Sequence, residues 1–416
     1  MERSRFGAVA RSADTPDDRV VAISAQWRAL AYLAMAIVLT MTTWFSATAV
    51  IPQLREEWTL SDGSAAWLTI GVQLGFVVGA LVSSLTNLPD VFSPRSLVAL
   101  SALLAAGANL GVLAAEGPTL AVPLRFMTGA FLAGVYPPAV KLLATWFRAG
   151  RGTALGLLIG ALTLGTASPH LVNALGGLEW RTVIWTTSSL TVLGAAFVLA
   201  FVREGPFPFP RATFDMRETG RVFKNRRVLL ASLGYFGHMW ELYAMWAWFI
   251  VFLRASLGNQ TPENGSTAAL ATFAVIAIGA VGCWVGGVIG DRWGRTQATS
   301  LMMGISAACC LLIGFTFDGP TWLVVVVGLV WGFSVVADSA QFSAMVTEYA
   351  DARYVGTALT LQLALGFTLT VVTIWLLPWL EDQISWRWAF AVLAVGPILG
   401  IGSMWRLRND LADAPH

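Results

Sequence analysis

The sequence predicts an all-α membrane protein with twelve transmembrane helices in two pseudo-symmetric six-helix halves. Composition is the first observation, because 56% of the 416 residues are apolar and only 12% are charged, against roughly 25% charged residues in a soluble domain. The second is a series of apolar runs of about 20 residues, each long enough to cross a hydrocarbon core of roughly 30 Å as a helix. The third is one long polar interruption between two similar series of runs.

The apolar runs define the predicted spans, which we number in chain order. The first run follows a polar tail of 26 residues and has no small-residue cleavage site, so we interpret it as a span and not as a signal peptide. The predicted spans cover residues 27–51, 64–85, 96–115, 121–146, 153–176, 182–203, 228–253, 268–290, 297–316, 321–346, 354–378 and 385–406.

The distribution of arginines predicts the orientation of the spans. Both termini, the middle loop and the loops after even-numbered spans are rich in arginine, and the opposite side has only Arg55, Arg181, Arg254 and Arg387 in or beside loops. Cytoplasmic loops carry an excess of basic residues. We therefore expect a multi-pass protein of the bacterial inner membrane with both termini in the cytoplasm, a monomer whose partner is the lipid bilayer. The net charge of +2 reflects this bias and does not indicate nucleic acid.

The polar interruption from Arg203 to Arg227 divides the chain into two halves. We predict a cytoplasmic tail at 1–26, a first half at 27–203, a linker at 204–227, a second half at 228–406 and a tail at 407–416. Landmarks repeat between the halves: Gly-Thr-Ala-Leu begins at residues 152 and 356, and Trp-Arg at 180 and 386, at offsets of 204 and 206. This repeat implies a duplicated unit, and such halves are expected to rock about a site near the bilayer midplane.

The loop between the eighth and ninth spans carries the most distinctive motif, formed by Gly287, Asp291, Arg292, Gly294 and Arg295. Glycines allow a sharp reversal, and an aspartate at a helix end can pair with arginines of a neighbouring helix. The motif resembles the cytoplasmic loop of the major facilitator superfamily, in which an Asp-Arg pair lies between glycines and a basic residue follows. The alternative is an ordinary basic loop that obeys the positive-inside rule.

The resemblance extends from about Trp27 to Arg408 and implies the major facilitator fold and secondary transport. The equivalent loop of the first half retains only Asp90 and Arg95 in pattern positions. In the fourth span, Arg125 is followed four residues later by glycine, as in a pattern that the family associates with proton coupling.

A closer resemblance rests on the run Gly-Val-Tyr-Pro-Pro at residues 134–138, followed by Trp-Phe at 146–147. This run is similar to the bacterial group of cyanate and nitrate/nitrite porters. Nitrate porters carry an arginine in the second and in the eighth span, and neither span has one here. The resemblance therefore disfavours nitrate.

Ionisable residues inside the predicted spans are candidate functional residues, because each costs roughly 2.5–3.5 kcal/mol to insert unless it is paired or hydrated. His238 and Glu241 lie three residues apart on the seventh span, at a depth near the midplane. We predict that this pair takes up and releases the coupling proton. The alternative is a structural pair that only holds helices together.

Two further residues make the predicted cavity attractive to anions. Arg125 in the fourth span is permanently charged and can bind a carboxylate with two parallel hydrogen bonds, and His170 lies in the outer part of the fifth span. The alternatives are that Arg125 extends to the outer headgroups and that His170 is a structural histidine. Lys141 and Asp338 are a candidate inner gate, or else a lysine that reaches the headgroups and a locally capped aspartate.

Aromatic residues are concentrated in the first and seventh spans. Trp44, Trp240 and Tyr243, with Tyr136 of the fourth span, are predicted to contact substrate, because indole and phenol groups pack and also form hydrogen bonds. Rings near the span ends, such as Trp248, are alternatively lipid-facing anchors.

No enzyme or cofactor motif is present. The chain lacks a phosphate-binding glycine loop with Lys-Ser/Thr, and its three cysteines have no disulfide or metal-ligand spacing. The leading hypothesis is a proton-coupled secondary transporter for a small, anionic organic solute. The alternatives are a multidrug/proton efflux antiporter, suggested by the aromatic surplus, and a non-transporting membrane receptor.

Overall fold

The computed structural model describes residues 16–86, 88, 92–147, 150–176, 179–207, 219–258, 262–351 and 354–412. The part of the chain that it describes is helical and contains no β-strand. Asp90 of the predicted first-half loop lies outside the described residues.

The helices of the first half form spans 1 to 6. Spans 1 and 4 are interrupted, and span 3 ends in a short 3₁₀ turn. Their helices are Pro16–Thr40, Met41–Thr43, Thr48–Val50 and Ile51–Trp58 for span 1, Asp62–Leu85 for span 2, Pro94–Gly111 and Val112–Ala114 for span 3, Pro118–Leu132 and Tyr136–Ala144 for span 4, Arg151–Leu175 for span 5, and Trp180–Phe201 for span 6.

The second half follows a short linker helix, Thr219–Lys224. Spans 8 and 10 are each interrupted by one residue. The helices are Arg226–Ser256 for span 7, Pro262–Ala277 and Gly279–Trp293 for span 8, Arg295–Leu312 and Ile313–Thr316 for span 9, Thr321–Ala337 and Ser339–Tyr349 for span 10, and Val355–Ala389, Phe390–Ala394 and Val395–Ala412 for spans 11 and 12.

Twelve crossings follow from these helices. Nine described helices are long and apolar enough to cross a membrane, and the bent pair of span 1 makes ten. One of the nine, Val355–Ala412, has 58 residues, more than twice what a single crossing needs. It divides at Ser385, whose φ of 63° is not helical. Span 7 is the remaining crossing and has 31 residues. It is not among the nine because its buried polar side chains lower its mean hydropathy.

Polar side chains begin several spans where the chain enters the membrane. Ser61, Ser93 and Asn225 accept hydrogen bonds from backbone N–H groups of the first turns of spans 2, 3 and 7. The carboxylate of Glu179 accepts from two backbone N–H groups at the start of span 6. These caps satisfy donors that have no partner within the helix.

Spans 1 and 12 are longer than the sequence predicts. The first helix begins at Pro16 instead of residue 27, and the last continues to Ala412, so part of the predicted tail at 407–416 is helical. The extension of span 12 has a physical reason, because Asp410 pairs with Arg226 at 3.0 Å and so joins the C-terminal end of span 12 to the N-terminal end of span 7.

The two halves repeat one packing scheme. Spans 1–5, 1–6, 2–4 and 3–6 are neighbours in the first half, and spans 7–11, 7–12, 8–10 and 9–12 are the equivalent neighbours in the second. Between the halves, span 2 packs on span 11 and span 5 packs on span 8. Span 2 is equivalent to span 8 and span 5 to span 11, so the repeat converts one of these contacts into the other. The interface between the halves is therefore itself pseudo-symmetric.

Glycines set the closest helix contacts. Gly71, Gly75 and Gly79 form one face of span 2, and a Cβ atom at any of the three would press on the backbone of span 4. The contact at Gly75 is the tightest of the three, because a Cβ there would overlap the carbonyl oxygen of Phe126. Small residues allow membrane helices to approach in this way.

We expect Gly75→Ala to destabilise the fold by about 3 kcal/mol or more, in the upper range for overpacking. The control is Gly107→Ala in span 3, where an added Cβ meets nothing within 4 Å and the better helix former should be neutral or stabilising by up to ~1 kcal/mol. Thermal unfolding in detergent checks both changes. Equal Tm values for the two variants would contradict the close packing of spans 2 and 4.

Candidate functional site

Six buried aromatic side chains meet where the two halves touch, and we call them the central aromatic cluster. Three come from each half: Trp44, Phe45 and Phe76 from spans 1 and 2, and Tyr243, Trp246 and Phe367 from spans 7 and 11. None is more than 8% exposed. Trp44 and Tyr243, which the sequence predicts to contact substrate, are both members.

Most contacts within the cluster cross between the halves. The ring of Trp44 lies 6.0 Å from Tyr243 and 5.8 Å from Phe367, measured between centroids. Phe76 lies 4.7 Å from Phe367, and Phe45 stacks on Tyr243 at 6.1 Å. Offset aromatic pairs at these separations contribute roughly 0.5–1.5 kcal/mol each beyond area burial. The cluster therefore joins the halves at mid-depth.

The first half holds a buried cation beside this cluster. Arg125 is 0% exposed, so the structure contradicts the alternative in which it extends to the headgroups. Its guanidinium donates to the carbonyl oxygen of Thr43 at 2.9 Å, to Ser46 Oγ at 3.1 Å and to Asn109 Oδ1 at 2.7 Å. It also donates to the carbonyl oxygen of Trp44.

All four of these partners are neutral. Arg125 is therefore a buried positive charge solvated by dipoles, and it fixes the backbone from which Trp44 enters the central aromatic cluster. Asn109 is a partner of Arg125 that the sequence did not predict. The signal in the sequence was a polar residue within the apolar third span. Asn109 also donates to Ser188 Oγ at 2.9 Å.

The second half contains a buried acid–base pair that the sequence did not predict. Nδ1 of His238 in span 7 lies 2.9 Å from Oδ1 of Asp338. Both side chains are 2% exposed. The two atoms are within ion-pair distance, but Oδ1 of Asp338 does not accept a hydrogen bond with good geometry. Asp338 occupies the one-residue break between the two helices of span 10. Asp338 thus faces His238. Lys141 is half-buried, and an inner gate formed by Lys141 and Asp338 stays a prediction.

Glu241 has a separate set of partners one turn further along span 7. Its Oε1 atom accepts from Ser306 Oγ at 2.5 Å and from Cys310 Sγ at 3.0 Å in span 9, and from Nε1 of Trp331 in span 10. The structure therefore gives His238 and Glu241 different partners and does not join them as one pair. Their part in proton coupling stays a prediction.

The remaining predicted substrate residues lie outside the central aromatic cluster. His170 is 0% exposed, and neither ring nitrogen has a hydrogen-bond partner among the described residues. Trp240 packs against Gly396 of span 12, and Tyr136 begins the second helix of span 4. Trp248 is 0% exposed and donates to the carbonyl oxygen of Ile374 at 2.9 Å, so the lipid-anchor interpretation of this residue is wrong.

The glycine-rich loop motif lies at the contact between spans 5 and 8, on the side that the sequence predicts to be cytoplasmic. Asp291 accepts from Thr153 Oγ1 at 3.2 Å, and its carboxylate lies against Gly152 in the first turn of span 5. An anion is stabilised at a helix N-terminus. Arg295 forms an ion pair with Asp291 at 3.8 Å, one turn along the chain, and a second ion pair with Glu348 at 2.7 Å. The motif thus connects the halves on the inner side.

Three other loop residues have local roles. Gly287 faces the backbone of Gly152, and Gly294, with a φ of 95°, adopts the left-handed conformation that separates spans 8 and 9. Arg292 belongs to the last turn of span 8 and is exposed. Arg95 of the first-half loop donates to the carbonyl oxygen of Leu199 in span 6, within its own half.

Comparison with known proteins agrees with this architecture. The sequence profile of the Major Facilitator Superfamily matches residues 33–369. The chain is 32% identical over 168 residues to the putative uncharacterized transporter YgaY of Escherichia coli, and this match covers 39% of the chain and 41% of that relative. It is 25% identical over 342 residues to the probable sulfoacetate transporter SauU of Cupriavidus necator, covering 74% of the chain and 76% of the relative.

A solved structure shows the same fold. A bacterial homologue of the human lysosomal transporter Spinster, in an inward-facing and unoccupied conformation, superposes with a TM-score of 0.71 at 13% identity, over 94% of this chain and 98% of that one.

We expect Arg125→Lys to lower the Tm in detergent by an amount equivalent to about 2 kcal/mol or more. An ammonium cannot reach the acceptors on spans 1 and 3 together, and each unsatisfied buried acceptor costs about 1–3 kcal/mol. The control is Arg151→Lys, because that arginine is exposed and its side chain bonds the carbonyl oxygen of Phe147. A Tm for Arg125→Lys no lower than that of Arg151→Lys would contradict the bracing of span 1.

We expect Asp291→Asn to loosen the inner contact between the halves and to speed the reaction of Cys283 with N-ethylmaleimide. Cys283 is 1% exposed, and its backbone contacts Gly156 of span 5. Loss of the charge at the helix end, worth about 0.3–1 kcal/mol, should raise the labelling rate about two- to fivefold. Glu348→Gln is the control, since Glu348 bonds Arg295 and belongs to the second half. Equal labelling of the two variants would contradict the role of Asp291 in joining the two halves.

Proposed function

Because the chain belongs to the major facilitator superfamily, we propose that it moves a small organic anion across the bacterial inner membrane by alternating access, with proton coupling through the His238–Asp338 pair. The family membership and the relatives named as transporters make this protein a multi-pass membrane transporter and not an enzyme. The single observation that carries the coupling proposal is the buried acid–base pair at the break of span 10.

The proposed role of the pair follows from the cost of burying net charge. With one proton on either the imidazole or the carboxyl group the pair is net neutral, and without that proton it carries one negative charge. A net charge at membrane depth is costly, so the pair retains the proton while the site is closed and releases it when the site opens to water. Transfer of the proton then follows the conformational cycle.

The surroundings of the pair suit this role. Tyr235 and Phe342 lie within 6.0 Å of the imidazole, measured between ring centroids, and shield it. Nε2 of His238 has no hydrogen-bond partner among the described residues, which leaves one atom for proton exchange. Glu241 is the buried carboxyl group on span 7 itself, and Ser306, Cys310 and Trp331 already donate to it. We therefore assign Asp338, and not Glu241, as the partner of His238.

The anionic substrate is proposed from the charge of Arg125. This guanidinium adjoins the central aromatic cluster, and each partner that the structure gives it is neutral. Its positive charge is therefore available to attract an anion at mid-depth. SauU, named as a probable sulfoacetate transporter, is consistent with an organic anion.

Alternating access is proposed from contacts that close the interface above and below the central aromatic cluster. On the inner side, Ser84 bonds Thr360 at 3.3 Å and Thr153 bonds Asp291. On the outer side, the guanidinium of Arg55 lies 5.7 Å from the ring centroid of Trp248. Opening to either side requires one of these sets to separate while the other holds.

We expect Asp338→Asn and His238→Gln to uncouple transport into proteoliposomes when a panel of radiolabelled organic carboxylates and sulfonates is supplied in the external buffer. A pH gradient should drive accumulation by the parent protein, and both variants should only equilibrate the solute. Counterflow, which exchanges solute without net proton movement, should continue, because the substrate site is intact.

The matched control is Asp318→Asn, the same substitution at an exposed residue that pairs with Arg387 outside the membrane. Gradient-driven accumulation that survives in both His238→Gln and Asp338→Asn would refute the coupling assignment. Extrusion of cationic dyes in place of anion transport would favour the efflux alternative and refute the anion assignment.

A further inference from the structure

Buried polar groups without partners surround the central aromatic cluster. Among the described residues, the indole N–H groups of Trp44 and Trp246, the hydroxyl of Thr43 and both amide atoms of Gln73 have no hydrogen-bond partner. None of these four side chains is more than 2% exposed. An unsatisfied buried polar group costs about 1–3 kcal/mol, so a concentration of them at one place indicates a site that binds something.

Gln73 lies on the face of span 2 that is directed to the cluster. Thr69, four residues earlier, bonds Thr48 of span 1 at 2.8 Å, and Phe76, three residues later, contacts Trp44 at 4.8 Å and Phe367 at 4.7 Å. Residues three and four apart share a helix face. The amide of Gln73 is therefore directed to the interface where spans 1 and 11 meet span 2.

The opposite face of span 2 confirms this direction. Gly71 and Gly75 contact span 4, and Gln73 lies two residues from each, about 200° around the helix. Gln73 is nevertheless 0% exposed, because the interface between the halves covers it.

The unpartnered groups are mainly donors. Trp44 and Trp246 each offer one N–H, and Gln73 offers two. Nε of Arg125, whose guanidinium bonds the backbone of Trp44, also has no partner. A ligand that satisfies these groups needs several acceptor lone pairs on one small group, and a carboxylate supplies about four.

The rings define the rest of the ligand. Trp44 and Phe76 belong to one half, and Tyr243 and Phe367 belong to the other, so separation of the halves breaks the ring contacts between them. A flat aromatic ring between the two sets restores offset stacking on both sides, which a puckered aliphatic ring of similar size does not.

We propose that the central aromatic cluster together with Gln73 binds a planar aromatic carboxylate. The ring lies between the aromatic side chains of the two halves, and the carboxylate accepts N–H groups of Gln73, Trp44 and Trp246. This inference rests on the proposed transport function and specifies its substrate class. It adds Gln73, Phe76, Trp246 and Phe367 to the residues that determine specificity.

Isothermal titration of the purified protein at constant pH tests the ligand class with benzoate as the probe. Cyclohexanecarboxylate has the same charge without the flat ring, and benzamide has the ring without the charge. We expect benzoate to bind about fivefold or more tightly than cyclohexanecarboxylate, from the stacking contribution, and about tenfold or more tightly than benzamide, from charge-assisted hydrogen bonds. Equal affinities for benzoate and cyclohexanecarboxylate, or no benzoate binding, would overturn the proposal.

The residue assignment is tested with Gln73→Leu, which should weaken benzoate binding about tenfold. The same variant should keep or raise the Tm without ligand, because it removes a buried amide whose two polar atoms have no partner. A binding loss accompanied by a marked fall in that Tm would show a structural role for Gln73 and overturn the assignment.

The matched control is Gln362→Leu in span 11. Gln362 is 3% exposed and its amide nitrogen also has no described partner. It lines a different, small cavity with Ser232 and Phe236, and Phe236 lies two turns along span 7 from Tyr243. This variant should bind benzoate as the parent does. A tenfold loss here too would contradict the specificity of Gln73.

The equilibrium titration uses no pH gradient, so its result is independent of the coupling test. Benzoate binding that depends on Gln73 supports this site even if proteoliposomes show no gradient-driven uptake, in which case the transport mechanism fails and the site stands. Gradient-driven uptake of aliphatic anions by a protein that does not bind benzoate leaves the transport function intact and overturns the aromatic substrate.

Discussion

A guanidinium that cannot reach water must be solvated by the protein, and this constraint shapes the first half of the molecule. Arg125 takes two of its four acceptors from the main chain of residues 43 and 44. A continuous helix would use those carbonyl groups in its own hydrogen bonds. Span 1 instead breaks into short 3₁₀ turns between Thr40 and Ile51, where the Thr43 carbonyl oxygen has only a long backbone bond from Ser46 N at 3.5 Å and can also accept from Arg125. The same break turns Trp44 and Phe45 to the second half.

The second half solves a similar problem with the opposite charge. Glu241 of span 7 is bonded by side chains of spans 9 and 10. In the first half, Arg125 of span 4 is bonded by groups of spans 1 and 3. Trp331, which donates to Glu241, is offset from Arg125 by 206 residues, the same offset as the repeated Trp-Arg landmark. The duplicated junction has therefore diverged, so that one copy presents a cation and the other an acid. The proposed substrate site would therefore be polarised across the interface.

The sequence predicted the features that depend on local pattern. Apolar runs located the spans, because a crossing helix must be apolar over the thickness of the bilayer, and repeated landmarks indicated the two similar halves. The partners of single side chains depend on which helices meet, and this information is not local. His238 therefore appeared to pair with Glu241, three residues away, whereas the structure places Asp338 of another span beside it. Gln73 was overlooked for the same reason, since a single glutamine in an apolar helix carries no pattern.

Span 8 connects the proposed proton site to the interface between the halves. On one side, Gly286 packs on the carbonyl group of Ala337, directly before Asp338, and Cys283 Sγ donates to the carbonyl oxygen of Val336 at 3.5 Å. On the other side, the backbone of Cys283 contacts Gly156 of span 5. Glycine contacts of this kind leave no soft side chain to absorb a movement. Under the proposed coupling, a change in charge that shifts Asp338 would move span 8 against span 5, and Asp291 lies at the end of that same contact.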